Sequence, residues 1–402
     1  MKQYLKGRDT LLSTFFVFLI TGLLGLFIIN IHVFDPFKRA FHDFDLTDIY
    51  YSKIRAEESL LDTNIVLINI GQLKRDSISI MLNKINKYNP KVVGLDAFFT
   101  CRKDNFSDSL LKSAFALTPN LVLAEILDVR ENGKGCFFSA STCSWFGEYP
   151  SGYANFTGDE NNTTTIREFR PFFEDGKKTY SSFAAEILKN ANPKIWDGLK
   201  ERGDDHEIIH FLGSTNSFIN LDVKDFFDPL TDLNILKGKI VLMGYMGSTI
   251  NNSQDIEDLH FSPLNPKVSG RALPDMRGLV IHANIISMVL HDDFINESPI
   301  WINWLFAFLL CYLHLALFIY LYLKRHKWYH FTAKWLQFIT SVLLIWFAFL
   351  LYEHFGIKIS VAPSIVVIIL SMDLLYFYEG MVIFLNLKFG YNTIFKSDHS
   401  KD

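Results

Sequence analysis

Residues 64–99 read NIVLINIGQLKRDSISIMLNKINKYNPKVVGLDAFF, and this stretch decides the fold of the central part of the chain. The run NIVLINI that opens it is β-branched and apolar, which is typical of a buried strand. In the polar segment that follows, apolar residues recur at helical spacing, at Ile78, Met81, Leu82 and Ile85. The closing run KVVGLDAFF is again apolar. The stretch therefore predicts a strand, a helix and a second strand.

The alternation of strands and helices continues after this stretch. Residues 107–117 predict a second helix and residues 121–126 a third strand, so the first half is βαβαβ, with parallel pairing as the default. The later elements are a hairpin of 152–156 with 166–173, a helix over 182–188, strands over 207–212 and 239–244, and a closing helix over 278–290. The polar stretch 248–276 lacks periodicity, which indicates function or local disorder. We expect an α/β domain with a mixed, partly parallel sheet.

The excess of apolar residues lies at the two ends of the chain. Of 402 residues, 49% are hydrophobic and 20% are charged, and the mean hydropathy is +0.16. An apolar run of about 20 residues is long enough to cross a bilayer as a helix. Such runs predict an α-helical membrane bundle of four transmembrane helices, at residues 11–31, 299–323, 335–352 and 360–387.

Basic residues flank these runs unevenly. Lys2, Lys6 and Arg8 precede the first run, and a basic turn at 324–334 separates the second run from the third. The positive-inside rule assigns both segments to the cytoplasm. The predicted order is a cytoplasmic N-terminus (1–10), the first span (11–31), an extracytoplasmic domain (32–298), the second span (299–323), the cytoplasmic turn (324–334), two further spans (335–352 and 360–387) and a cytoplasmic tail (388–402).

Charge and segment length argue against several classes of function. A net charge of −4 gives no electrostatic basis for binding nucleic acid. The predicted cytoplasmic segments are far shorter than the roughly 100 residues that a kinase, cyclase or phosphatase module needs to form a core. No motif of an activated serine nucleophile occurs. We therefore expect no enzymatic activity, no catalytic residues and no cofactor.

Several motifs occur together in one order along the region 64–290. They are KVVGLDAFF (91–99), GYANF (152–156), IREFRPFF (166–173), SSFAAEIL (181–188), GKIVLMGYMG (238–247), DLHFSPL (258–264) and GLVIHANIISMVL (278–290). In this order they resemble the CHASE2 family, the extracytoplasmic sensory domains of bacterial membrane signalling proteins. The resemblance implies a periplasmic or extracellular domain on a multi-pass protein of the bacterial inner membrane. It also implies a cytoplasmic transmitter after the last span, which we do not find here, and it supplies no ligand.

Six polar residues form the candidate ligand-binding set. Asp96 lies near the carboxyl end of a predicted parallel strand, where open α/β sheets place their ligands. The late loop and the closing helix contribute Asp258, His260 and His282, and the predicted hairpin contributes Arg167 and Arg170. These residues could converge on a polar pocket. Alternatively, strand-end carboxylates often cap helices or pair with arginine.

His206, Glu207 and His210 spell H-E-x-x-H, the zinc-protease motif, which requires a helix to bring both imidazoles to one metal. The surrounding HEIIHFLG is rich in β-formers. On a strand the two histidines lie about 13 Å apart. We therefore interpret them as ordinary strand residues and predict no metal site.

Cysteines and intramembrane polar residues leave alternatives open. Cys101, Cys136 and Cys143 fall on the predicted outer side, where one disulfide is expected from three possible pairings.

Asp373 and His314 lie inside predicted spans, where a polar side chain needs a partner. That partner is either this chain's own bundle or another membrane subunit.

Two hypotheses for function follow. In the first, the chain is a membrane-anchored sensory or docking protein that relays an extracytoplasmic signal to a separate protein. In the second, it is a structural subunit of a larger inner-membrane complex and does not switch. The expected partners are membrane lipid, another membrane or cytoplasmic protein subunit and an unidentified small-molecule ligand, without nucleic acid.

Overall fold

The computed structural model describes residues 4–30, 45–55, 60–100, 102–129, 136–156, 164–176, 178–203, 205–250, 257–266, 273–324 and 327–395. The chain divides into two compact units. One unit is Asp43–Ile295, and the other combines Met1–His42 with Asn296–Asp402.

The helices and strands follow one another in this order. The chain begins with α1 (Arg8–Asn30), α2 (Leu46–Ile49) with a π-helical turn (Tyr50–Ile54), β1 (Asp62–Asn69), α3 (Arg75–Asn86), β2 (Val92–Asp96), α4 (Asn105–Ala116), β3 (Leu121–Val129), β4 (Cys136–Ala140), β5 (Ser151–Tyr153), β6 (Glu168–Phe169), β7 (Phe172–Glu174) and β8 (Thr179–Ser181). It continues with α5 (Phe183–Ala191), α6 (Pro193–Arg202), β9 (Glu207–Ile208), β10 (Phe218–Leu221), α7 (Val223–Phe227), β11 (Ile240–Gly244), β12 (Leu259–His260), β13 (Met276–Arg277) and α8 (Gly278–Leu290). The last elements are β14 (Asn296–Glu297), α9 (Ile300–Leu323), α10 (Tyr329–Phe355), β15 (Ile357–Lys358) and α11 (Ala362–Phe389).

The main sheet of the Asp43–Ile295 unit has the strand order β10-β1-β11-β2-β3-β4, with β5 also paired to β3. All of these pairings are parallel except that of β3 with β4. The predicted βαβαβ order and mixed sheet are confirmed. However, β11 lies between β1 and β2, so these two strands do not pair with each other. All five residues of β11 are buried, as a central strand covered on both faces requires.

Helices cover both faces of the sheet. The four residues that predicted α3 are 0–4% exposed and pack with the strands in one apolar core. Burying each such side chain contributes about 1.5–3 kcal/mol. Helices α5 and α8 pack against the same strands. Gly94 in β2 permits a close approach of α5, because a Cβ atom there would lie 2.6 Å from Ile187 Cδ1.

The predicted hairpin of 152–156 with 166–173 is wrong. Strand β5 instead pairs in parallel with β3, while β6 pairs with β9 and β7 with β8. Because β5 extends the main sheet, one of its edges is already paired with β3. Gly152 in β5 packs closely against the start of α5, since a Cβ atom at Gly152 would lie 2.6 Å from the Ser182 carbonyl oxygen. Residues 157–163, between the two predicted strands, lie outside the described residues.

The second half of the unit differs from the prediction in two more places. The strand predicted over 207–212 is only Glu207–Ile208. The stretch 248–276 holds β12, which pairs antiparallel with β13. Its segments 251–256 and 267–272 lie outside the described residues.

In the other unit, four helices are long and apolar enough to span a membrane: Arg8–Leu26, Ile300–Leu323, Tyr329–Phe355 and Ala362–Phe389. They match the four predicted spans. The third helix begins six residues earlier than predicted, so Lys334 is helical rather than part of the turn. In this helix, Lys334 Nζ lies 3.0 Å from Asp373 Oδ2 of α11.

Both polar residues predicted inside the spans contact this chain's own helices. His314 Nδ1 lies 2.9 Å from the Leu310 carbonyl oxygen, and its Nε2 lies 3.2 Å from Thr340 Oγ1. Asp373 forms the ion pair with Lys334, although the two side chains are 57% and 52% exposed. The bundle therefore supplies a partner to each residue, and a second subunit at the exposed pair stays a hypothesis.

Candidate functional site

A cavity of about 410 Å³ opens where β2 and β3 end and α8 begins. Its lining residues are Asp96, Phe98, Ile126, Asp128, Ala154, Asn155, Phe156, Asp258, His260, Gly278 and His282. We call it the Asp96 cavity. Four of the six residues of the predicted ligand-binding set therefore lie together, although they are far apart in the sequence.

Asp96 is the last residue of β2 and pairs in register with Gly244 of β11. A side chain at Gly244 would crowd it, because a Cβ atom there would lie 3.2 Å from Asp96 Cβ. Burial, and to a smaller extent the carboxylate of Asp258, raise the pKa of Asp96 to about 7, although His260 acts in the opposite direction. A carboxyl group of this kind changes its charge near neutral pH.

Asp258 and His260 reach the cavity from the segment that contains β12. Asp258 Oδ1 lies 3.5 Å from His260 Nε2. Asp258 has a φ of +57°, in the left-handed region that few residues other than glycine adopt. Strained backbone of this kind is concentrated at functional sites.

Gly278, the first residue of α8, makes room for this pair. A Cβ atom at Gly278 would lie 3.3 Å from Asp258 Oδ1 and 3.5 Å from His260 Nε2. The Asp258 carboxylate therefore lies at the positive end of a 13-residue helix, where the helix dipole stabilises an anion.

His282 lies one turn further along α8 and is 3% exposed. Its ring lies between Phe156 and Phe183, with centroid distances of 4.7 and 5.2 Å. The ring donates a hydrogen bond to the Ala154 carbonyl oxygen, while burial and His260 lower its pKa to about 3. His282 is therefore neutral near pH 7. Its Nδ1 atom has no hydrogen-bond partner among the described residues.

Asp128, Asn155 and the two phenylalanines of the cavity were not predicted as site residues. Asp128 is the eighth residue of β3, which is longer than the predicted strand 121–126. The prediction therefore ended before the strand reached its polar end. Asn155 and Phe156 belong to the quoted GYANF motif, so a signal was present, but it was assigned to a hairpin.

Arg167 and Arg170 do not line the Asp96 cavity. Arg167 forms a two-point ion pair with Asp48, at Nε–Oδ1 2.9 Å and Nη2–Oδ2 2.7 Å. Arg170 lies 3.7 Å from Asp205 and over the Phe173 ring. Their placement in the cavity depended on the predicted hairpin, and β6 pairs with β9 instead. These two arginines therefore do not join the other four residues of the set at the cavity.

The H-E-x-x-H motif has the extended backbone predicted for it at Glu207–Ile208. Glu207 accepts hydrogen bonds from Arg202 at 2.6 and 3.0 Å, and His210 Nδ1 lies 2.9 Å from Asp293 Oδ2. Within the described ranges, no group of three or more His, Cys, Asp or Glu residues is arranged to hold a metal ion.

Cys136 is a free, buried thiol, so the two predicted disulfide pairings that involve it are wrong. Its Sγ lies 3.6 Å from Asp175 Oδ2. The third pairing, of Cys101 with Cys143, cannot be placed, because Cys101 lies outside the described residues.

Fold and site together define a membrane protein with an α/β domain that carries an acidic, aromatic-lined cavity. The sequence pattern of the CHASE2 domain matches residues 14–322, which include the two helices that flank the α/β region. The chain belongs to the CHASE2 family, and its α/β unit is a sensory domain of that family. Neither a curated protein nor a solved structure gives a significant match to the chain.

Proposed function

We propose that this chain binds a small extracytoplasmic molecule in the Asp96 cavity and relays the resulting change through its membrane helices to a separate protein. One observation carries the proposal: carboxylates and imidazoles from separate parts of the sequence converge on one cavity at the strand ends. Its volume of about 410 Å³ is within the range of small-molecule sites.

Helix α8 is the element that a ligand in the cavity would act on. Asp258 lies against its first residue, and His282 projects from its second turn. Every residue from Gly278 to Val289 is buried. A tightly packed helix responds to a local displacement as a rigid body. We therefore propose that ligand binding shifts α8.

The sidedness of the protein is part of the proposal. We place the α/β unit in the periplasm and both termini in the cytoplasm of a bacterial inner membrane. The support is the basic turn between α9 and α10, together with Lys2, Lys6 and Arg8 before α1. The proposed function contains no catalytic step, cofactor or nucleic acid.

A structural subunit that does not switch is the second candidate function. The observation that favours it is the Lys334–Asp373 ion pair, which is more than half exposed on helices otherwise fit for lipid. Charged groups that face lipid are costly, so another subunit could cover this pair.

Partner recovery separates the two candidates. The full chain is cross-linked in cells, solubilised in nanodiscs and quantified with its partners by mass spectrometry, with and without added small-molecule envelope extract. A sensor changes the recovery of at least one partner when extract is added, and Asp258→Asn removes this response. Asp292→Asn is the matched control, since Asp292 also has a left-handed φ, of +55°, and lies outside the cavity. Recovery at fixed stoichiometry under all conditions contradicts the sensor and supports the subunit.

A further inference from the structure

We propose that the Asp96 cavity takes a small organic cation with N–H donors, such as an aliphatic amine or a guanidine. This inference rests on the proposed function, because it names the class of ligand for the same site. Three features of the cavity lead to it: its charge, its hydrogen-bonding groups and its aromatic lining.

The charge of the lining favours a cation. Asp96, Asp128 and Asp258 contribute carboxyl groups, and no Lys or Arg occurs among the described residues that line the cavity. The two arginines that could have balanced them lie elsewhere, on Asp48 and Asp205. His282 is neutral, since burial lowers its pKa to about 3. An anion would therefore meet repulsion in this cavity.

The hydrogen-bonding groups favour a donor. Carboxylate oxygens only accept hydrogen bonds. His282 donates one ring N–H to the Ala154 carbonyl, so its Nδ1 is an acceptor. This buried Nδ1 has no hydrogen-bond partner in the described part of the chain, and leaving it so carries a free-energy cost. A ligand N–H would satisfy it.

The aromatic lining fits an organic cation better than a bare metal ion. Phe98 and Phe156 both line the cavity. Ring faces attract cations within about 6 Å of their centroids, and they also pack well against methylene groups. In contrast, no group of three or more potential metal ligands is suitably arranged within the described residues.

The test is calorimetric titration of the full chain in nanodiscs at about pH 8, where Asp96 is mostly ionised. The probes are methylammonium, guanidinium and 1,4-diaminobutane, each to about 10 mM, which saturates a site with a Kd near 1 mM. 1,4-Butanediol is the neutral control and succinate the anionic control. We expect at least one cation to bind and neither control to do so.

Variants assign the binding to the cavity. Asp258→Asn should weaken cation binding about tenfold or more, because it removes a charge-assisted hydrogen bond. Asn tolerates the left-handed backbone at this position. Asp292→Asn removes the same charge from the same type of backbone outside the cavity and should leave binding unchanged. In parallel, hydrogen exchange of the wild-type peptide 278–290 should slow when the cation is added, a readout that does not depend on folding of the variant.

Different experimental results would exclude the ligand class and the sensor proposal. Binding of none of the cations, equal binding of butanediol or succinate, or equal effects of the two variants would overturn the cation proposal. Calcium or zinc binding that Asp258→Asn abolishes, without binding of organic cations, would overturn it in favour of a metal site. If envelope extract slows exchange of 278–290 and the cations do not, the ligand class is wrong while the sensor proposal stands. If a cation binds but partner recovery never changes, the sensor proposal fails and the ligand class stands.

Discussion

The half-buried Asp96 and the buried His282 line one cavity, and their pKa values are displaced in opposite directions. The pKa of Asp96 rises to about 7, so the folded state holds its proton above the pH at which the unfolded chain loses it. The contribution of Asp96 to stability is therefore fully present below about pH 4 and is lost as the pH rises to about 7. The pKa of His282 falls to about 3, so its contribution is lost as the pH falls from about 6.5 to 3.

Replacing Asp96 by Asn tests the raised pKa of Asp96. Relative to the wild type, Asp96→Asn should gain stability progressively between about pH 4 and 7 and stay constant above that, by as much as about 4 kcal/mol. The measurement is denaturant-dependent pulsed hydrogen exchange of β2 and α8 peptides in the full chain. Asp292→Asn, which is exposed, serves as the control. A stability difference that does not vary with pH would contradict the raised pKa.

The position of individual residues could be predicted from the sequence where the backbone alone determines it. Asp96 follows a parallel strand, and His282 lies on a long helix, so both were placed correctly. Arg167 was misplaced because its position depends on Asp48, which lies 119 residues earlier and which no local pattern marks. An ion pair between distant segments is decided by tertiary packing, which sequence periodicity does not report.

At the start of α8, the absence of a side chain at Gly278 leaves room for the Asp258 carboxylate beside the cavity. Gly278→Ala places a methyl group 3.3 Å from Asp258 Oδ1, so the carboxylate must move by a few tenths of an ångström. We expect a several-fold loss of 1,4-diaminobutane affinity by calorimetry. Gly198→Ala in α6 is the matched control, since nothing lies within 4 Å of its Cβ position, and it should leave affinity unchanged. Equal affinities for the two variants and the wild type would show that the approach of Asp258 to Gly278 does not matter.

The positions of most strands and helices along the sequence were predicted well, whereas the pairing partners of the strands were not. The runs NIVLINI, KVVGLD and KIVLMG are equally apolar, and nothing within them indicates that β11 separates β1 from β2. Likewise, residues 152–156 and 166–173 both have strand character, but β5 finds its partner in β3 and β6 in β9. Hydrophobic periodicity specifies which residues form a strand, while pairing depends on the whole topology.

At the scale of the whole molecule, the arrangement across the membrane is a prediction from basic residues. In a background without reactive native cysteines, Ser113→Cys should react with a membrane-impermeant maleimide in intact spheroplasts, because residue 113 is exposed on α4. Lys327→Cys, in the basic turn, should react only after lysis. Labelling of Lys327→Cys from outside would overturn the orientation.

The relay proposed for this chain requires that a ligand in the Asp96 cavity changes the membrane helices. The most direct test is hydrogen exchange of the full chain in nanodiscs, with and without 1,4-diaminobutane at a concentration shown by calorimetry to saturate the site. We expect altered exchange in peptides of α9, α10 or α11 as well as in α8, in the wild type and in Asp292→Asn but not in Asp258→Asn. Altered exchange confined to residues 43–295, with the cation bound, would contradict it.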